Sequence, residues 1–430
     1  MKHSARPVTA AAARRTLLVL SFTRWFPTGL IIGLTTLLVL SRGMSLSEVG
    51  LIAATQGFVV LALELPTGGL ADAIGRRPVL LLGGLIGIAS GVLFVSAQTV
   101  PAFVLAAALQ GVYRALDSGP MEAWYVDAAH AEDATIPVDQ ALSRAGTVIG
   151  LAIALGALTS GGLVAWHPIG SQSPLLLPFW VAIGLNLVHL VGCAVLVREP
   201  QPTAGSSAPA VWSSVRAAPR VILDGVRLLG TARILRCLVL VELFWSVAMI
   251  GFETLNTVRL AELVGGEERA GALIGPVSSA SWGLFAAGAM AGGLASRRIG
   301  VGWAALLARV LNGAFVVAMG LAAGPAGLIT AFLASYAMHG AAGPLHNTLL
   351  HRQADRSNRA TVLSMNSMVA GGAYCLGLLI LGPLAEHTSV ATAIVAAGAF
   401  SILGALLYRP AIRQERELAA QNLAVSANAG

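Results

Sequence analysis

The sequence predicts an all-α polytopic membrane protein, with twelve transmembrane helices in two pseudo-symmetric six-helix bundles and both termini cytoplasmic. Three observations carry this expectation. First, mean hydropathy is +0.78, with 56% hydrophobic and only 11% charged residues, against roughly 25% charged for a soluble domain. A soluble chain of this size could bury a large core, yet its surface would still need charge. Second, nearly uncharged runs recur, as at 79–112, 147–197 and 310–350. About 20 apolar residues cross hydrocarbon as a helix, which satisfies its own backbone polar groups there. Third, GGLADAIGRR at 68–77 is echoed by GGLASRRIG at 292–300, the two phrases starting 224 residues apart in a chain of 430.

Charges, prolines and glycine clusters punctuate the chain into its elements. A basic tail, 1–16, leads into an apolar run of span length without an A-x-A site before the next polar break, so 17–40 reads as an uncleaved first span. Spans two to six follow at 47–71, 78–97, 100–127, 139–165 and 174–197. The longest polar break comes next and opens on EPQPTAGSSAPA. Within it, Trp212 to Leu229 carries Arg216, Arg220 and Arg227 among apolar residues, the pattern of a helix on the inner membrane surface. Spans seven to twelve are 233–259, 270–295, 303–322, 325–350, 360–383 and 388–408. The expected organisation is thus a tail at 1–16, bundles at 17–198 and 232–408 joined by a linker at 199–231, and a tail at 409–430. The repeated phrase closes the second span of each half on the same side.

Orientation follows from the cations. Of 27 Lys and Arg residues, twenty lie in segments alternating with the N-terminal side, and three (Arg42, Arg259 and Arg269) on the other. The positive-inside rule then places both termini in the cytoplasm. The net charge of +7 does not imply nucleic acid, because the basic residues sit in short clusters between apolar spans. Cys193, Cys237 and Cys375 are too scattered for a disulfide or metal framework and read as packing residues.

In the first phrase, Gly68, Gly69 and Gly75 permit tight turns and close helix contact. Asp72 is a fixed negative charge suited to the positive N-terminal end of another helix. Together with twelve spans and cytoplasmic termini, the stretch from Gly69 to Leu80 resembles the signature of the major facilitator superfamily, and the resemblance covers essentially the whole chain. It implies a secondary transporter whose two bundles rock about a central site. It further implies that Asp72 meets the eleventh span near Thr361 and that Arg76 pairs with Asp127, giving a gating set of Gly69, Asp72, Gly75, Arg76, Arg77 and Asp127. Such a charge–dipole contact contributes ~0.3–1 kcal/mol when exposed and up to ~2 kcal/mol when partly buried. The second phrase has Ser296 where the aspartate stood and keeps Arg297 and Arg298, so it retains the topology and loses the anionic latch.

Ionisable residues at membrane depth are functional candidates. Eleven qualify: Arg24, Glu64, Arg114, Asp117, Glu122, His189, Glu242, Glu253, Arg309, His339 and His346. Eight of them fall in spans 1, 4, 7 and 10, where polarity gathers on one face at helical spacing. The stripes are Arg24, Thr28 and Thr35; Gln110, Arg114, Asp117, Ser118 and Met121, flanked by Glu122; Glu242, Ser246, Met249, Glu253 and Asn256; and Ser335, His339 and His346. The resembled family lines its cavity with the same four spans and often carries an arginine like Arg114 in the fourth. Arg114 and Asp117 can equally neutralise each other within one helix. Asp117, Glu122, Glu242 and Glu253 can exchange a proton once desolvated, while His339 and His346 titrate near neutral pH or serve packing. His189 and Arg309, alone on their spans, read as structural, and Glu64 as support for the Asp72 loop. Span 5 carries Gly146, Gly150, Gly156, Gly161 and Gly162 for close packing. Antiporters of the resembled family carry a Gly-Pro pair just before the double glycine; here Ala157 and Leu158 stand there.

The expected function is proton-coupled efflux of a small hydrophobic or amphipathic compound by alternating access, from the plasma membrane. The alternative is proton-coupled uptake of a small organic anion or metabolite, drawn by Arg24, Arg114 and Arg309. No nucleophile elbow, metal-ligand spacing or nucleotide-binding loop is written in the chain, so neither an enzyme nor an ATP-driven pump is expected. The expected partners are the substrate, protons and the lipid bilayer. No nucleic acid, metal or cofactor is expected, the proton gradient drives the cycle, and the protein acts as a monomer.

Overall fold

The computed structural model of the chain describes residues 9–199, 223, 225–355 and 358–428. Among them there is no strand. Ten helices are long and apolar enough to cross a membrane by length and composition, and the protein is a multi-pass membrane protein. The first half contains α1 (Ala10–Ile31), α2 (Leu34–Ser41), α3 (Leu46–Ile74), α4 (Arg76–Ser96), α5 (Val100–Asp117), α6 (Pro120–Glu132), α7 (Asp139–Trp166) and α8 (Leu176–Leu196). The second contains α9 (Arg233–Ile250), a π-helical turn (Gly251–Leu255), α10 (Asn256–Val264), α11 (Glu267–Ile299), α12 (Val301–Leu321), α13 (Pro325–Gln353), α14 (Arg359–His387), α15 (Val390–Ala405) and α16 (Arg409–Asn428). Part of the expected surface helix, Trp212 to Leu229, lies outside the described residues, although 225–231 are helical.

Three expected spans are interrupted, each for a local reason. The first breaks at Gly33, whose φ of 77° is left-handed. The fourth breaks after Asp117, where Gly119 adopts a φ of 91° and Pro120 opens the next helix. Glycine reaches that region without steric cost, and proline at the first helical position gives up an N–H that had no partner anyway. The seventh carries the π turn at Gly251–Leu255. The broken 100–127 is therefore not one of the ten helices. Nor is α13, a single unbroken helix of 29 residues whose polar content lowers its hydropathy.

The chain folds as two compact units. One takes Met1–Met44, Leu51–Ala218 and Gly271–Ser279; the other takes Ser45–Gly50, Pro219–Ala270 and Ala280–Gly430. In the first, α1 and α7 approach through Gly29 and Gly156. A Cβ on either would lie 2.4 Å from the Ile153 carbonyl oxygen or 2.3 Å from that of Phe26. In the second, α12 and α15 meet the same way, with a Cβ at Gly313 or Gly398 falling 2.9 or 2.7 Å from the opposing glycine's oxygen. Not every span-5 glycine serves this purpose, since Gly146, Gly150 and Gly162 face open space. Leu17, Leu20, Trp124 and Tyr125 centre the first core; Leu238, Leu345, Leu350 and Tyr408 centre the second.

The repeated phrase has a structural counterpart. Helix α3 turns into α4 at Gly75 (φ 95°, ψ 158°), and α11 into α12 at Gly300 (φ 86°, ψ 156°). That backbone region is essentially open to glycine alone. A helix start also leaves N–H groups without intrahelical partners at the positive end of the dipole. Each unit supplies a glutamate there. Glu199 Oε1 accepts from the Arg76 N–H at 2.5 Å, and Glu415 Oε2 accepts from the Gly302 N–H at 2.8 Å. Glu199 was expected to open a flexible linker and Glu415 to lie in a tail. Instead, each stands just after the last apolar helix of its half and caps the third span of that half.

Candidate functional site

The first unit holds a cavity of about 330 Å³ whose wall includes Arg24, Glu64, Arg114, Asp117, Ser118, Met121, Glu122 and His189. Arg24 projects from α1, and Asp117 ends α5 where Gly119 stops the helix. Arg24 Nε donates to Asp117 Oδ2 at 2.6 Å, and Nη1 donates to Thr28 Oγ1 at 2.9 Å, one turn further along α1. The guanidinium carbon sits 4.6 Å from the Tyr113 ring centroid and 5.1 Å from that of Trp25. Asp117 thus pairs across helices with Arg24. His189 joins the wall with Nδ1 2.9 Å from Thr23 Oγ1 and Nε2 3.4 Å from Cys193 Sγ. Glu64, expected to support the neighbouring loop, is also part of this wall.

Two members of the stripes lie elsewhere. Thr35 sits beyond the Gly33 break, exposed, its hydroxyl donating to the Ile31 carbonyl at 3.2 Å. Gln110 turns toward α4, where Oε1 accepts from Ser90 Oγ at 3.3 Å. In the gating set, Arg76 Nη2 is 3.3 Å from Asp127 Oδ2, and Arg77 Nη2 donates to the Ala194 carbonyl at 2.6 Å. The surroundings of Gly69 and Asp72 lie outside the described residues.

The second unit arranges its charge differently. Glu242 Oε1, on α9, lies 3.3 Å from Arg309 Nη2 on α12 and 3.1 Å from His346 Nε2 on α13. His346 Nδ1 is 2.8 Å from the Tyr408 hydroxyl, and Nε2 is 3.2 Å from Asn366 Oδ1. The Arg309 guanidinium lies over Trp245 at 4.3 Å. The three charged or titratable partners are 4%, 2% and 1% exposed, so the cluster is sealed into the packing. Arg309 was read as structural because it stands alone on its span. Yet an arginine in apolar surroundings requires a counter-charge, and that requirement was the available signal.

The remaining stripe residues also find their places. Glu253 sits on the π turn, half-buried, and its Oε1 accepts from the Tyr336 hydroxyl at 2.5 Å. His339 stacks on Trp245 with centroids 4.9 Å apart. Ser246 and Asn256 are buried, and Met249 is half-buried. Ser335 belongs to the packing: its hydroxyl donates to the Phe332 carbonyl at 2.9 Å, and its own carbonyl accepts from Asn312 Nδ2 at 2.8 Å. Among the described residues no three His, Cys, Asp or Glu side chains are grouped to hold a metal ion, and the three cysteines are free. What the sites offer chemically is paired charge, beside a cavity in one unit and in a packed core in the other.

Comparison with known proteins gives a consistent picture. The sequence profile of the Major Facilitator Superfamily matches residues 17–327. No curated protein sequence matches the chain. Among solved structures, the nucleoside transporter NupG superposes with a TM-score of 0.74 at 14% identity, covering 93% of this chain and 98% of that one. A mutant of the same transporter gives 0.73 at 12% identity, covering 93% and 99%. At such identities the likeness is one of fold.

Proposed function

The chain belongs to the major facilitator superfamily, and from that premise we propose that it is a proton-coupled exporter of a small hydrophobic or amphipathic compound, working by alternating access as a monomer in the plasma membrane with cytoplasmic termini. Family membership makes it a membrane transporter of small molecules. The direction and the coupling ion are the proposal.

The observation that carries it is the Arg24–Asp117 pair, 2.6 Å apart, in the wall of a cavity of about 330 Å³, within the range that small-molecule sites occupy. Arginine keeps its charge throughout. Asp117 can therefore exist as a carboxylate bound to Arg24 or, once protonated, as a neutral group that releases it. A compound entering the cavity competes for the same carboxylate. Protonation then favours one facing state and substrate the other, which is exchange. Anion uptake would require the arginines as hooks. Arg24 and Arg309 each already hold a carboxylate, which supports export over anion capture.

The test uses proteoliposomes loaded with a pH-sensitive dye and challenged with a panel of amphipathic compounds. Asp117→Asn should cut substrate-driven proton movement by about tenfold or more while leaving membrane insertion intact. Proton movement equal to wild type would remove Asp117 from the coupling step. Accumulation of the compound by cells, in place of its depletion, would overturn export.

A further inference from the structure

We propose that the second unit holds a subsite for planar nitrogen heterocycles, formed around Tyr336 by Glu253, Phe252, Trp282 and His339. This rests on the transporter reading and names a substrate class within it.

Aromatic residues are sparse: 8 Trp, 5 Tyr and 12 Phe in 430 positions. Yet within this unit Trp245, Phe252, Trp282, Phe285, Phe332 and Tyr336 join His339 in one connected group, with neighbouring centroids 4.9–6.3 Å apart. Tyr336 touches Phe252, Trp282, Phe332 and His339, and His339 touches Trp245, Phe252, Phe285 and Tyr336. Rings stacked or edge-on at such distances would make an ordinary apolar core, were it not for the polar groups placed among them.

Glu253 is the first of these. Carboxylates at membrane depth are normally paired. Asp117 has Arg24, and Glu242 has Arg309 and His346. Among the described residues Glu253 makes no ion pair, and the Tyr336 hydroxyl is its hydrogen-bond partner. It stands on the π turn Gly251–Leu255, closed by the Asn256 N–H bonding to the Gly251 carbonyl. Single π turns inside α-helices occur mostly at functional sites.

Ring nitrogens supply the second observation. Trp245 Nε1, Trp282 Nε1 and His339 Nδ1 are buried without a hydrogen-bond partner among the described residues, and Trp282 and His339 are the two of these that contact Tyr336. Such groups are costly to leave unmade and call for an explanation. A flat heterocycle satisfies all three requirements together. Its N–H edge would donate to Glu253, its ring nitrogens or carbonyl would accept from Trp282 (and from His339 where Nδ1 carries the proton), and its face would stack on the rings. A simple alkyl cation would answer Glu253 but leave the ring nitrogens unmet, and a hydrocarbon would answer only the rings.

The probe is 2-aminopurine, flat and fluorescent, titrated into the purified full-length chain in detergent. Competitors are tetraethylammonium (a cation without rings), 1-naphthalenesulfonate (a flat anion) and 1-naphthylmethylammonium (a cation on a flat ring system without a ring nitrogen). The expected result is saturable binding that only weakly responds to these competitors. Affinity should drop about tenfold or more in Glu253→Gln and in Trp282→Leu, and stay within about threefold in Asp133→Ala, in the exposed loop between α6 and α7. Unchanged affinity in folded Glu253→Gln, no saturable 2-aminopurine binding, or displacement by any competitor at equal concentration would overturn the proposal. Should the variants fail to fold, the wild-type competition order decides alone. Heterocycle binding without proton-linked flux in proteoliposomes would sink proton coupling and leave the subsite standing. Flux driven by other compounds, with no heterocycle binding, would do the reverse.

Discussion

The two units handle the same physical problem in opposite ways. In the first, Arg24 and Asp117 keep side-chain exposures of 12% and 17% and border a cavity. In the second, Arg309 and Glu242 fall to 3% and 5%, with His346 and Trp245 packed against them. Charge in an apolar medium must be solvated or paired and hydrogen-bonded. One unit leaves room for solvent or substrate beside its ion pair, and the other closes the space entirely. A pair beside a cavity can be opened by a proton or a ligand. A pair inside a core resists opening, and removing one partner strands the other. The difference separates a site suited to exchange from one suited to holding helices α9, α12 and α13 together.

The largest expected effect tests that distinction. Glu242→Leu should destabilise the protein by about 3–5 kcal/mol, because it leaves Arg309 buried without its counter-charge. Adding Arg309→Leu should restore most of the loss. Asp117→Asn, whose pair borders the cavity, should cost less than Glu242→Leu while removing transport. Thermal unfolding of the three purified variants in detergent reads this, and equal losses for Glu242→Leu and Asp117→Asn would erase the contrast between the units.

Where the units agree, the effects should match. Gly75→Ala and Gly300→Ala each force a side chain into a region essentially reserved for glycine, at about 1–3 kcal/mol apiece. The first also places a Cβ 2.6 Å from Glu199 Oε2, and the second 3.3 Å from Glu415 Oε2. Helical Gly146→Ala, which meets open space, should be neutral or stabilising by up to about 1 kcal/mol. A marked inequality between the two turn variants would show that the repeat is not energetically symmetric.

The smallest effect lies in the water-exposed loop between α6 and α7. The Thr135 backbone N–H and hydroxyl donate to Asp133 Oδ1 at 2.9 and 2.8 Å and hold its carboxyl below the ordinary value. A depressed value contributes stability above the unfolded pKa, near ~3.9, and that contribution disappears as pH falls through the folded value. The melting difference between wild type and Asp133→Ala should therefore be present at neutral pH and vanish in acid. A difference that grows on acidification would contradict this.

Much of the architecture was legible because bilayer insertion imposes one-dimensional rules. Apolar run length and the recurrence of GGLA each report on it without any knowledge of packing. Arg114, Asp117, Ser118, Met121 and Glu122 line one cavity although the Gly119 break divides their stripe, so helical spacing picked out the residues while the turn that gathers them was not legible. The interruptions were harder to see. Gly33, Gly119 and Gly251 look like the many other glycines in this chain, and only their backbone angles or the turn they begin set them apart. Thr35 left the first stripe because the Gly33 break intervenes, which periodicity assumes away. The partners of Arg309 and Glu199, namely Glu242 and Arg76, are 67 and 123 positions away, beyond the reach of local spacing.

By itself the sequence determined the class of fold and the recurrence of the GGLA phrase, because hydrophobicity and helical period are properties of neighbours along the chain. Only the tertiary structure decided which charge answers which: that Asp117 belongs with Arg24, Glu242 with Arg309 and His346, and Glu253 with a tyrosine and no cation among the described residues. Pairing depends on distances of a few ångströms between helices far apart in sequence, and the packing of side chains sets those distances.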